Sequence, residues 1–309
     1  MDNGTKLSAF AKYAWFVLAY NVLVILWGVF LRASHSGDGC GQHWLTCGGE
    51  VVPTAPQFKT VIEYSHRITT AFASIAVFAL VVWAFRRFPK GSPIRKAASL
   101  GAVFIVIESL IGAGLVLTGN TAGNWTPTRP LWTIGHLINT VVLLVPLTLT
   151  AWLASRPNPV RYAPRPKVAV LLGIGLAVFF AAAISGSMAA LSNMFFPSDS
   201  LAGGFIKDFD PDSHLLLRLR IFHPLLSILG GVALVFVGGA IRKAVPDSKG
   251  IEFWAKALTG LVAAQIAFGA LTLLMLAPIL MQLGHLLLAD AVWIAFVFMS
   301  AYALTDTEN

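Results

Sequence analysis

Apolar residues fall into eight long runs, near 13–32, 63–85, 98–118, 131–153, 168–190, 217–240, 254–275 and 280–303, separated by polar or proline-bearing stretches. Each is close to the roughly 20 residues that a helix needs to cross a bilayer. The pattern predicts eight transmembrane helices, the last two divided only by a tight connection at Ala277-Pro278. Two connections are long, 33–62 and 191–216.

Composition agrees with this pattern. With 57% hydrophobic and 12% charged residues and a mean hydropathy of +0.75 over 309 residues, the fold class is an all-α integral membrane protein, with no length left for a sizeable soluble domain. The net charge of +8 does not indicate nucleic acid, because the basic residues sit in short clusters between apolar runs. Such clusters set topology. Counting alternate connections from Lys6 gives 15 lysines and arginines on one side and 7 on the other. Both termini are therefore expected in the cytoplasm and both long connections outside. The first apolar run, Ala14 to Leu31, is too long for a signal-peptide core, so it is read as a retained span with no transit peptide ahead of it.

The chain also resembles itself. A shift of 157 residues aligns His66 with His223, Glu108 with Gln265, and Gly112-Ala113 with Gly269-Ala270, and a shift of 149 aligns Gly135-His136-Leu137 with Gly284-His285-Leu286. Two pseudo-symmetric four-helix halves, 1–160 and 161–309, follow as the expected organisation. Each carries one histidine at the outer end of its second helix and one at that of its fourth.

Ionisable groups within a span are costly, so four imidazoles at comparable depth read as a site. Paired imidazoles on neighbouring helices can hold a haem iron axially, which gives one haem-sized site per half, His66 with His136 and His223 with His285. The same residues could instead be core histidines bonded to backbone, or bind zinc or copper, although no carboxylate or thiolate completes a tight cluster. Arg67, Arg218 and Arg220 are placed to meet porphyrin propionates, or to snorkel to water as interfacial arginines do.

Glu63 stands three residues before His66, on the same helical face. It could relay protons in an oxidation or pair with an arginine. Its repeat position holds Arg220, a difference that marks the N-terminal half as the reactive one. Glu108, inside the third span, is read as a polar interhelical bond. Small residues at Gly112, Gly114, Gly260 and Gly269 are read as allowing close helix packing and cofactor approach. Cys40 and Cys47 flank a short external loop, where a disulfide is their simplest use, with a redox role or a metal site shared with His43 as alternatives. No Walker loop, Rossmann fingerprint, HExxH or nucleophile elbow occurs in a supporting context.

Through Gly39-Cys40-Gly41-Gln42-His43-Trp44-Leu45-Thr46-Cys47, Glu63-Tyr64-Ser65-His66-Arg67, Gly135-His136, His223 and Gly284-His285, the chain resembles the haem A synthase family over nearly its whole length. The resemblance implies oxidation of the C8 methyl of haem O to a formyl group by successive hydroxylations. It implies His223 and His285 as ligands of a permanent haem b, His66 and His136 as the site of the substrate haem O, Glu63 as the catalytic acid and Cys40–Cys47 as a disulfide. Some bacterial members carry a second cysteine pair, which 191–216 lacks. A prokaryotic plasma membrane is expected, along with a membrane electron donor. An association with haem O synthase is expected from the hazard of a free, very apolar haem rather than from any residue. Rival readings are a di-haem quinone oxidoreductase, whose haems would bridge both membrane faces, and a haem transporter, which would release haem unmodified.

Overall fold

The computed structural model describes residues 6–307. Eight of its helices are long and apolar enough to cross a membrane. They are α1 (Ala9–Ala33), α2 (Phe58–Arg87), α3 (Pro93–Leu117), α4 (Arg129–Ala154), α5 (Pro166–Phe195), α8 (Phe222–Ala244), α9 (Lys249–Leu274) and α10 (Ile279–Ala303). Two short helices, α6 (Leu201–Phe209) and α7 (Leu215–Arg220), precede α8; α7 and α8 together form the sixth span, Leu215–Ala244. All eight expected spans are present, most of them extended by a few residues at their ends.

The ends are set by local chemistry. Ser8, Ser92 and Ser248 cap α1, α3 and α9 by accepting from the backbone N–H groups of Ala11, Ile94 and Ile251, which satisfies donors that a first helical turn leaves free. Prolines stand in the first turn of α3, α4 and α5, where no N–H is needed. The tight turn between α9 and α10 holds Leu276 and Ala277 at φ 59° and 53°. The segment 191–216, read as a plain connection, contains α6, whose apolar side chains gave too short a run to register as a span.

Helices α1 to α4 pack in sequence with α1 closing on α4, and α5, α8, α9 and α10 pack in sequence with α10 touching α5. The two sets meet where α4 lies against α5 and α10, and where α1 lies against α10. Helices α4 and α10 are consequently the most enclosed spans. At their seam the buried Trp293 donates from Nε1 to the Val141 carbonyl (2.8 Å) and stacks on Phe179 (4.5 Å between centroids). Elsewhere the spans turn Leu23, Phe72, Ile75 and Phe236 outward, as a bilayer requires.

No strand was anticipated, yet β1 (Val160–Tyr162) pairs antiparallel with β2 (Thr305–Thr307), with Arg161 opposite Asp306. Arg165 reinforces this pairing through Ala303 O (2.9 Å) and Asp306 (2.6 Å). The segment between α4 and α5 is thereby tied to the strand after α10. The expectation for the termini themselves concerns residues 1–5 and 308–309, which lie outside the described residues.

Candidate functional site

All four histidines stand at the same end of the bundle, within eight residues of the start of their span. This is the end that carries the cysteine loop. His136 and His285 lie on the enclosed helices α4 and α10, and His66 and His223 on α2 and α8.

His223 and His285 face each other with ring centroids 6.2 Å apart and planes at 84°. A metal bonded to one nitrogen of each ring at about 2.0 Å, with each nitrogen roughly 1 Å from its centroid, sets the centroids about 6 Å apart. The hydrogen bonds around His223 suit one tautomer. Ser185 Oγ and Ser227 Oγ lie 3.2 and 3.1 Å from its Nδ1, and the Ser185 hydroxyl donates to Ala182 O (2.8 Å); with Nδ1 protonated, both hydroxyl oxygens can accept from it and Nε2 keeps its lone pair. On His285, Nδ1 is buried without a partner, and Gln265 Nε2 lies 3.3 Å from Nε2. A ligated His285 displaces that amide or turns its ring.

In the other set, Glu108 Oε1 approaches His136 Nδ1 to 3.2 Å, an electrostatic contact rather than an aligned hydrogen bond. Glu108 also accepts from Asn139 Nδ2 (2.6 Å) and from Thr140 Oγ1. The carboxylate favours the Nδ1–H tautomer and leaves Nε2 basic, the arrangement seen behind metal-ligating imidazoles. Glu108 thus makes the interhelical bond expected of it, and its repeat partner Gln265 likewise touches the histidine of the next helix. His66 Nδ1 is buried without a hydrogen bond.

Three imidazoles rest on glycines. A Cβ at Gly28, Gly186 or Gly269 would lie 3.0, 2.9 or 2.8 Å from Cε1 of His66, His223 or His285. Gly112 and Gly260 face open space, and Gly114 accommodates Trp132 instead. Gly28, Gly186, Ser185 and Ser227 were not identified from sequence, because small residues serve helix packing throughout a membrane protein. Gly186→Ala and Gly269→Ala are expected to push their imidazoles out of register and to lower the occupancy of any metal held between them severalfold. Metal or porphyrin content per purified chain checks this.

Glu63 is 3% exposed at the cysteine-loop end of α2. Its Oε2 accepts from the Cys40 N–H (2.8 Å) and its Oε1 pairs with Arg67 Nη2 (2.5 Å), while Arg67 Nη1 donates to His43 O and Thr46 O (2.6 and 2.8 Å). Cys40 and Cys47 form a disulfide. Glu63 and Arg67 therefore clamp the cysteine loop onto α2, one turn above His66. The loop also leans on backbone: Thr60 Oγ1 donates to Gly39 O (2.8 Å), and a Cβ at Gly39 would come 2.3 Å from the carbonyl carbon of Lys59. Gly39→Ala is expected to cost about 1–3 kcal/mol through overpacking and to lower the thermal midpoint of the detergent-solubilised chain.

The repeat position of Glu63 behaves similarly with opposite charge. Arg220 pairs with Asp208 (2.7 Å) and donates to Asn193, Phe196 O, Ser198 and Gly204 O, which holds α6 and the end of α5. The Glu63/Arg220 difference is thus occupied by two loop clamps. Arg218 donates to Pro211 O (3.4 Å). A cavity of about 400 Å³ opens at the same end, lined by His35, Gln42, Lys59 and Asn124 among others.

A family described as cytochrome oxidase assembly protein, COX15-CtaA, matches residues 11–297. The chain is 44% identical over 297 residues to a protein of Thermus thermophilus named protoheme IX farnesyltransferase, covering 96% of this chain and 49% of that one. It is 36% identical over 138 residues to a heme A synthase of Halalkalibacterium halodurans, 45% of each chain, and 38% identical over 112 residues to one of Exiguobacterium sibiricum, 36% and 37% of the two chains. The chain spans about half the length of the Thermus relatives it matches.

Proposed function

We propose that this chain, which belongs to the COX15-CtaA family of cytochrome oxidase assembly proteins, the haem A synthase family, oxidises the C8 methyl of haem O to a formyl group in haem A biosynthesis. The observation that carries the reading is the His223/His285 pair, whose 6.2 Å separation and crossed planes suit axial ligation of one iron. The heme A synthase names of the Halalkalibacterium and Exiguobacterium relatives support a role in making haem A.

In this reading, residues 161–309 form the haem b half, with His223 and His285 as ligands and the Ser185 and Ser227 hydroxyls orienting the first. Bound there, haem b would supply one-electron redox chemistry, fed by a membrane electron donor. Residues 1–160 form the substrate half, where His66 and His136 hold the iron of haem O and Glu108 keeps His136 in its ligating tautomer. Two hydroxylations at one carbon followed by loss of water turn a methyl into a formyl, a four-electron oxidation. Glu63, a turn from His66, is the acid assigned to that half. By the lysine and arginine distribution the cysteine-loop end faces outward and both termini lie in the cytoplasm of a prokaryote.

The farnesyltransferase name favours a second activity, which we place elsewhere. That name belongs to a protein of which this chain matches 49%. We assign that chemistry to the part of the Thermus protein that this chain does not match. The arrangement supports an association between this chain and an enzyme that farnesylates haem, the step that would supply its substrate.

The test is to purify the chain from cells that also make haem O and identify its extracted haems by chromatography and mass. Haem B with haem A or a hydroxylated haem O, the modified species being lost on His66→Ala, is the expected result. Haem B alone, with haem O plentiful, would overturn the synthase reading in favour of an electron carrier.

A further inference from the structure

At the cysteine-loop end, where α1 packs against α4, each of these helices carries an arginine that no acid pairs with among the described residues, Arg32 in the last turn of α1 and Arg129 at the start of α4. Arg129 opens α4 and is 4% exposed. It donates to Asn124 O (2.8 Å), touches Met194 Sδ (3.8 Å) and lies 5.0 Å over the Phe195 ring; none of these partners is an anion. Arg32, in the last turn of α1, has no side-chain hydrogen bond or ion pair among the described residues. The acids of this end are committed elsewhere, Asp38 to Lys59 and Glu63 to Arg67. A guanidinium withdrawn from water, as that of Arg129 is, loses hydration, a cost that an anion held beside it offsets.

Their register points to which anion. Arg129 precedes His136 by seven residues, two turns on the same face of α4 and about 10 Å along the axis. Arg32 follows Gly28 by four residues, one turn beyond the glycine that backs the His66 ring. Both cations therefore sit on the cysteine-loop side of the His66/His136 pair.

We infer that Arg32 and Arg129 form the carboxylate site for the acidic edge of a porphyrin held between His66 and His136. The inference rests on the substrate site of the proposed function and adds its orientation. A porphyrin dicarboxylate carries both acids on one edge, and two guanidiniums can take one each, in the fork geometry that suits carboxylate. The macrocycle is then held with its acidic edge toward the cysteine loop and its apolar edge toward the middle of the bilayer. This decides which ring substituents reach the interior. Arg67 and Arg220, engaged as loop clamps, are not needed for it.

The experiment uses the full chain, its His223/His285 pair loaded with haem, in nanodiscs of zwitterionic lipid. It is titrated with iron protoporphyrin IX and with the dimethyl ester of the same porphyrin, and followed in the Soret band. The free acid is expected to bind more tightly than the ester by roughly tenfold to a hundredfold, as charge-assisted hydrogen bonds allow. Arg32→Gln/Arg129→Gln is expected to abolish that preference while leaving ester affinity unchanged, which also shows that the variant is folded. Arg32→Lys/Arg129→Lys is expected to restore part of it. An undiminished preference in the glutamine variant overturns the inference. So does loss of the wild-type preference in discs of anionic lipid, which would assign the arginines to lipid phosphate. Should the added porphyrin bind equally to His66→Ala/His136→Ala protein, the substrate-site reading itself has failed, and the arginine site with it.

Discussion

Replacing His223 by alanine is expected to strip the protein of its resident haem, lowering affinity by more than about a hundredfold, since loss of even an outer partner of a metal ligand costs 10–100-fold. The imidazole is placed by its backbone and by its hydrogen bonds together. It rests on Gly186, and Ser185 and Ser227 hold Nδ1, so that Nε2 is directed to the opposing ring. Alanine removes one of two axial ligands and opens a space that water can enter. The low-spin absorption of the purified variant should fall by the share of the His223/His285 haem, leaving only that of haem bound through His66 and His136. Ser185→Ala/Ser227→Ala should retain haem with affinity reduced about tenfold. Unchanged low-spin haem in His223→Ala would remove the ligand assignment.

Glu63 carries the second large effect. Glu63→Gln is expected to leave the haem of the other half in place and to halt conversion of haem O, with the haems identified by chromatography and mass. Structurally the amide oxygen can still accept from the Cys40 N–H, so the loop keeps one attachment while Arg67 loses its countercharge. Glu63→Ala removes both attachments, and breaking a buried pair from one side costs about 3–5 kcal/mol. Faster reduction of the Cys40–Cys47 disulfide should accompany it as the loop lifts from α2. Normal haem A output from the glutamine variant would reduce Glu63 to a clamp.

The two variants separate what the sequence made legible from what it did not. Eight spans could be read because a bilayer imposes about 20 apolar residues on each, and the four histidines stood out because imidazole is expensive there. Glu108 was correctly read as an interhelical bond, but its closeness to His136 depends on how α3 and α4 are rotated. The exchange of Glu63 for Arg220 was read as a difference in reactivity. In the structure both side chains also fasten a segment at the cysteine-loop end, one through an acid to a backbone N–H, the other through a guanidinium to Asp208 and carbonyls. Arg32 and Arg129 were only tallied as topology-setting charges, since an arginine at a helix end looks the same whether it faces headgroups or a bound carboxylate. Strands β1 and β2, three residues each, are too short for any periodicity to register.

That small sheet also bears on biosynthesis. β1 leaves the ribosome 143 residues before β2, an interval of roughly 7–30 s at ordinary translation speeds. Throughout it the link between α4 and α5 has no strand to pair with, and Arg165 lacks Asp306. The earlier helices can enter the bilayer and settle against one another first. The fastening across the opposite end follows only when α10 has been inserted, so the last span to be made closes the joint in the middle of the chain.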